Sequence, residues 1–181
     1  MANVFYAKGI EAFLEGSIAA LSDTIKVSLV TTGYTPNTST DQYYNIISGG
    51  NITAAGVALG SKSGAGGALS AANLIWTSVS GSASAYVIVW KDTGTSSTSP
   101  LICIIDTATG LPVTPNGGDI TVAWSGGVVF TLKQSLSERD RIRVTRWLAQ
   151  RWKDLGKYVG WNDRRVWIPE GQQILVPTVG F

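Results

Sequence analysis

Two segments in the middle of this chain, SAYVIVWK from Ser84 and PLICIID from Pro100, carry apolar residues at consecutive positions. A strand of that kind must be covered on both faces, as the central strands of a two-layer structure are. TIKVSLVTT, from Thr24, alternates instead. Ile25, Val27 and Leu29 point one way and Lys26 and Ser28 the other, which reads as a half-buried strand. ITAAGVALG, LIWTSVS, DITVAW and GVVFTLK add further strands, and SKSGAGG, KDTGTSSTSP and TPNGGD between them carry turn residues. About seven short strands at this spacing predict a mainly β fold, an antiparallel β-sandwich. The Gly/Ser-rich stretch 60–73 reads as an exposed loop.

Ahead of these strands, Tyr6, Ile10, Phe13 and Leu14 fall at helical spacing, with Gly16 or the LSD at 21–23 as the stop. This predicts a short N-terminal helix packed on the sheet. Lys8, Glu11 and Glu15 interrupt the segment where a secretory leader needs an apolar core, so synthesis in a cytoplasm is expected. The long connection 33–51 is punctuated by Pro36, Asn37 and Gly49-Gly50. Tyr43, Tyr44, Ile46 and Ile47 are placed to pin it down as a single helical turn. No apolar run approaches the length of a membrane span.

Catalytic chemistry has little to work with. The chain has no His, which removes the commonest general base and a frequent metal ligand. Its single Cys, Cys103, lies in the apolar LICIID and reads as core rather than as a reactive thiol. Asp41 and Asp92 sit in loops, and Asp106 and Asp119 flank the TATGLPVTPNGG connection. Paired carboxylates suit glycosidase chemistry and one loop carboxylate suits calcium, but loop aspartates usually cap turns. GSKSGAGG has glycines and a lysine without the order of a phosphate-binding loop. The expectation is a protein that is not an enzyme and needs no cofactor and no metal.

Charge divides the chain near Lys133. Residues 1–132 hold 4 basic and 7 acidic side chains, a formal −3; residues 133–181 hold 10 and 5, a formal +5. The domain reading is therefore a sandwich with its helix over 1–133 and a basic, Trp-rich segment over 134–181. Within SLSERDRIRVTRWLAQRWKDLG, Ser135 and Glu138 form a capping-box pattern and Gly156 a stop. At about 100° per residue, Val144, Trp147, Leu148, Trp152 and Leu155 share one face. Arg139, Arg143, Arg146, Gln150 and Lys153 gather behind them. The segment predicts an amphipathic helix followed by an extended arm with Trp161, Arg164, Arg165, Trp167 and Phe181. Tryptophans on the apolar face are not presented for base stacking, and five carboxylates lie among the bases, so the pattern argues against nucleic acid. A membrane-surface helix is equally disfavoured within a chain built as a sandwich. Trp and Arg are enriched at interface hot spots. Trp147, Trp152, Trp161 and Trp167, with Phe181, are thus candidate docking anchors, and Arg143, Arg146, Arg164 and Arg165 their polar contacts.

Several segments in this order resemble a family of small virion structural proteins of tailed bacteriophages. They are an N-terminal helix, DTIKVSLVTTGYTPNTSTDQYYNI, NITAAGVALG, AYVIVWKDTGTSSTSPLICIIDTATGLPVTPNGGDITVAW and GVVFTL, covering about residues 5–132. The resemblance implies a head decoration or accessory role without catalysis, and a sheet closed through a GLPVTPNGGD hairpin. It also implies location in the virion, with the major capsid protein or other virion proteins as partners and a homo-oligomer, trimer or dimer. LSERDRIRVTRWLAQRW separately resembles the helix that closes lectin-like sandwich domains. The alternatives to a capsid cement or decoration protein are therefore a glycan-binding host-recognition module of a head or tail fibre, or a neck or collar component.

Overall fold

A computed structural model describes residues 3–132. Within them the chain forms β1 (Val4–Phe5), α1 (Ala7–Leu14), β2 (Ile25–Thr31), β3 (Ile52–Ala58), β4 (Ser63–Ala65), β5 (Ala68–Ser70), β6 (Leu74–Trp76), β7 (Ser84–Lys91), β8 (Leu101–Ile105), β9 (Ile120–Val122) and β10 (Val128–Thr131). The strand pairings are antiparallel, so the mainly β, antiparallel expectation is met. Five strands form one sheet in the order β1-β8-β7-β2-β3. The pieces β10-β5-β4 and β6-β9 form the second layer.

The two layers close on one core. From the large sheet come Ile25, Val27, Leu29, Val87, Val89 and Cys103; from the other side come Leu69, Leu74, Trp76, Trp124, Val129 and Phe130. A register shift between Val89 and Trp90 leaves Ile102 unpaired against β7. This lets Ile102 and Cys103 both join this core while Leu101 and Ile104 join the opposite one. That opposite face is covered as well, because the 32–51 connection folds back on it. Tyr34, Tyr44 and Ile47 pack there with Tyr6, Val30, Ile88 and Trp90.

The double covering corrects the reading of β2. Ser28 and Val30 are as fully buried as Ile25 and Val27, so the strand is central and not half-exposed. Its alternation is real, but the polar position finds partners inside. The Trp90 indole N–H donates to Ser28 Oγ at 3.0 Å, and Ser28 Oγ and the Tyr44 hydroxyl share a hydrogen bond at 2.9 Å. Tyr44 stacks on Trp90 with ring centroids 3.9 Å apart. The helical turn expected at 43–47 is a single 3-10 turn over Tyr44–Ile46, with Tyr44 and Ile47 buried and Ile46 exposed.

Helix α1 starts after Tyr6 and stops at Gly16, whose φ of +72° suits glycine at that position. Gly9 is its buried residue and lies against the backbone of Leu101 and Ile102. Leu14, read as part of the buried stripe, is instead exposed, because the stripe ends at Phe13.

Two connections differ from expectation. The stretch 60–73 is not simply a loop: Ser63↔Ser70, Gly64↔Leu69 and Ala65↔Ala68 pair as a hairpin. Its two turn residues, Gly66 (φ 59°) and Gly67 (φ 81°), supply the positive angles that a tight two-residue turn demands. The GLPVTPNGGD stretch is not a hairpin. It leaves β8 in the large sheet, touches β7 through a Ser84↔Val113 bridge, and enters β9 in the second layer. It contains a cis Leu111–Pro112 bond. The predicted helix from Ser135, the arm after it and the domain boundary at 133/134 lie outside the described residues.

Candidate functional site

Every predicted docking residue (Arg143, Arg146, Trp147, Trp152, Trp161, Arg164, Arg165, Trp167 and Phe181) lies outside the described residues. The described part has its own polar and apolar features, and most are committed to holding the fold.

The loop aspartates mainly cap and tie. Asp41, 5% exposed, accepts the Tyr34 hydroxyl at 2.6 Å and the Asn37 N–H at 2.8 Å, which fixes the YTPN turn on the sheet. Tyr34 and Tyr6 share a further hydrogen bond at 3.1 Å. Burial pushes both phenols well above the usual tyrosine range; the Asp41 carboxylate adds to the effect at Tyr34. Asp92 accepts the Gly94 N–H at 3.0 Å, and Asp119 accepts the Ser78 N–H at 2.9 Å. The turn-capping reading therefore holds for Asp41 and Asp92, whereas Asp119 ties its loop to a distant segment. Among the described residues no three His, Cys, Asp or Glu side chains stand close enough to hold a metal ion. Cys103 is buried as read, and burial pushes its thiol up to about 12.

The four lysines of residues 1–132 are all engaged. Lys8 pairs with Glu11 at 2.6 Å and Lys26 with Asp92 at 2.6 Å. Lys91 bonds the Asp23 carboxylate at 2.9 Å and the Ser17 carbonyl at 2.7 Å. Lys62 donates to the carbonyls of Ala20 and Asp23. Three lysines thus pin the segment after α1, or the Asp92 loop, to the sheet. The tryptophans follow the same pattern. Trp76, Trp90 and Trp124 are buried, and Trp76 and Trp124 donate their indole N–H groups to the carbonyls of Ala55 and Ala72. Tyr43 is the exposed aromatic residue among the described ones.

The surface of the described residues also carries shallow apolar hollows. One, about 260 Å³, lies between Leu21, the Gly66-Gly67 hairpin, Phe130 and Leu132. Another, about 190 Å³, lies beside β1 and β10, where Phe5 meets Phe130 edge-on at 5.3 Å. Leu21 and Leu132 are about half exposed, and sequence reasoning did not single them out. No periodicity marks them, because one lies in a turn and the other follows β10. No described helix is long and apolar enough to cross a membrane. No protein-family model matches the chain, and no curated protein matches it.

Proposed function

We propose that the chain is a structural protein of a tailed-phage virion that cements or decorates the capsid through protein–protein contacts. Residues 134–181 act as its docking element, and the protein works as an oligomer. The observation that carries this reading is the division of side chains between the two parts. The sandwich uses three tryptophans and all four of its lysines internally. The other four tryptophans, and every arginine of the chain, fall between 139 and 167. Trp and Arg concentrated beyond a self-sufficient core match the composition of interface hot spots. The resemblance of residues 5–132 to phage virion proteins supplies the setting. Such a protein needs no chemistry. It binds the assembled shell and not its parts, so many weak contacts repeated over the shell raise the free energy of opening it.

The test compares the full chain with a variant lacking residues 134–181. Both cores described above are built from residues preceding 131, so the shortened chain is expected to remain folded by circular dichroism. It is expected to lose binding to particles that lack the protein. Full occupancy by the shortened chain refutes the docking assignment. Copy number per virion then separates a shell-wide role from a single neck or collar ring. Sugar-specific binding on a glycan array, abolished by a loop substitution, would replace the cement reading with host recognition.

A further inference from the structure

Asn116 is the one asparagine of the chain that is followed by glycine, and it sits exposed in the connection between β8 and β9. Gly117 brings no side chain to shield its backbone nitrogen, and its φ is +86°. Two sets of hydrogen bonds act on this pair in opposite senses. The Gly118 N–H donates to Asn116 Oδ1 at 3.0 Å, which draws electron density from the carboxamide carbon. The neighbouring nitrogen is restrained: the Gly117 N–H donates to the Val79 carbonyl at 2.8 Å and the Val79 N–H to the Gly118 carbonyl at 2.9 Å. Ser78 N–H bonded to Asp119 closes this short ladder.

We propose that Asn116 is a site of spontaneous deamidation whose rate is set by opening of the 78–79/116–119 ladder. When the ladder opens, hydroxide removes the Gly117 amide proton and the nitrogen attacks Asn116 Cγ. Negative charge develops on Oδ1, where the Gly118 N–H is already placed to stabilise it. Collapse of the tetrahedral carbon keeps the new bond to the Gly117 nitrogen and breaks the Cγ–Nδ2 bond, and Nδ2 leaves as ammonia with a proton from water. Water then adds to either carbonyl of the resulting cyclic imide and opens it to aspartate or isoaspartate. The balance is one water consumed and one ammonia released, with no change of oxidation state. The product puts a new carboxylate beside Asp119, in a part of the chain that already carries a formal −3. In the isoaspartate form an extra methylene enters the backbone, so Gly117 and Gly118 no longer meet Val79 in register.

Trypsin releases residues 92–133 as one peptide in which Asn116 is the single amide side chain, so mass spectrometry reads the conversion directly. The full chain is incubated at mildly alkaline pH, folded and in denaturant, and isoaspartate is scored by enzymatic methylation. Conversion at Asn116 is expected in both. It should be roughly 150-fold slower in the folded chain, the factor given by opening the two backbone bonds and the Ser78–Asp119 bond at ordinary net strength. Asp119→Ala, which removes the acceptor of the Ser78 N–H, is expected to raise the folded rate about fivefold. Asn116→Gln should abolish the signal. An unchanged folded chain after the denatured chain has fully converted overturns the site. Equal rates in the two states overturn the ladder as its gate. The comparison on the unmodified chain decides both points even if Asp119→Ala fails to fold.

Discussion

Replacing Gly9 by alanine sets two effects of known sign against each other. In an isolated helix the change gains roughly 1 kcal/mol, because alanine loses less backbone freedom and is the better helix former. Here a Cβ on Gly9 stands 2.4 Å from the Leu101 carbonyl oxygen and 3.1 Å from Ile102 Cα, well inside van der Waals contact. The struck atoms are backbone, so no rotamer change relieves them. Moving the strand would strain the bond from the Leu101 N–H to the Gln42 carbonyl and that from the Tyr6 N–H to the Ile102 carbonyl. Overpacking of this kind costs about 1–3 kcal/mol, toward the upper end when backbone must move. After the helical gain is set against it, Gly9→Ala should be less stable by about 1–2 kcal/mol. This corresponds to a fall in Tm of about 2–8 °C. Urea unfolding followed by circular dichroism measures it, with a lowered midpoint and an unchanged slope expected. Gly49→Ala is the control. Gly49 has nothing within 4 Å of a built Cβ and no positive φ, so the substitution should be neutral or stabilising. A Gly9→Ala protein as stable as the original would show that α1 does not lie against the Leu101–Ile102 backbone.

Other consequences are as direct. Tyr34→Phe removes a buried donor from Asp41 and should cost about 2–3 kcal/mol. Faster hydrogen exchange at the Asn37 and Tyr44 amides should localise the loss to the 32–51 connection. Acid should weaken the fold through Asp23 and Asp92. Partial burial opposes ionisation of Asp23, but Lys91 and the Ala19 N–H outweigh it and lower its pKa. Lys26 and the Gly94 N–H lower that of Asp92. Depressed folded values contribute stability above the unfolded value of about 3.9 and lose it as pH falls through the folded values. Urea midpoints should therefore drop below about pH 4, less steeply in Asp92→Asn. Cys103 should resist thiol reagents in the folded chain and react on denaturation, because its thiol is buried and pushed up to about 12. Reaction at comparable rates in both states would contradict its place in the core.

The sequence was most legible where burial follows from composition. AYVIVW and LICII had to be central, and they became β7 and β8. The expected strands at ITAAGVALG, LIWTSVS, DITVAW and GVVFTLK all formed. Legibility failed where a polar residue is satisfied inside. Ser28 reads as solvent-facing in any alternating pattern, and only the arrival of Tyr44 and Trp90 from distant segments makes its burial tolerable. The hairpin at 63–70 was readable in principle, since two adjacent glycines between short runs are a tight-turn signal. Its strands lack large side chains, so composition pointed to a loop instead. Strand β1 was invisible because two residues carry no period. The turn-capping Asp41 and Asp92 were legible from chemistry alone, because a short carboxylate next to its own backbone has local donors to hand.

The place of β1 has a kinetic consequence. Val4 pairs with Ile104, and Asn3 accepts the N–H groups of Asp106 and Thr107, so the first described residues are held by contacts about a hundred positions away. During synthesis these residues emerge long before their partner and cannot pair until β8 has been made. The loop it closes is longer than that of any other strand pairing among the described residues, so closure entropy weighs most on this contact. A fusion partner attached ahead of Asn3 would therefore disturb contacts that form late, and should speed unfolding more than it slows refolding.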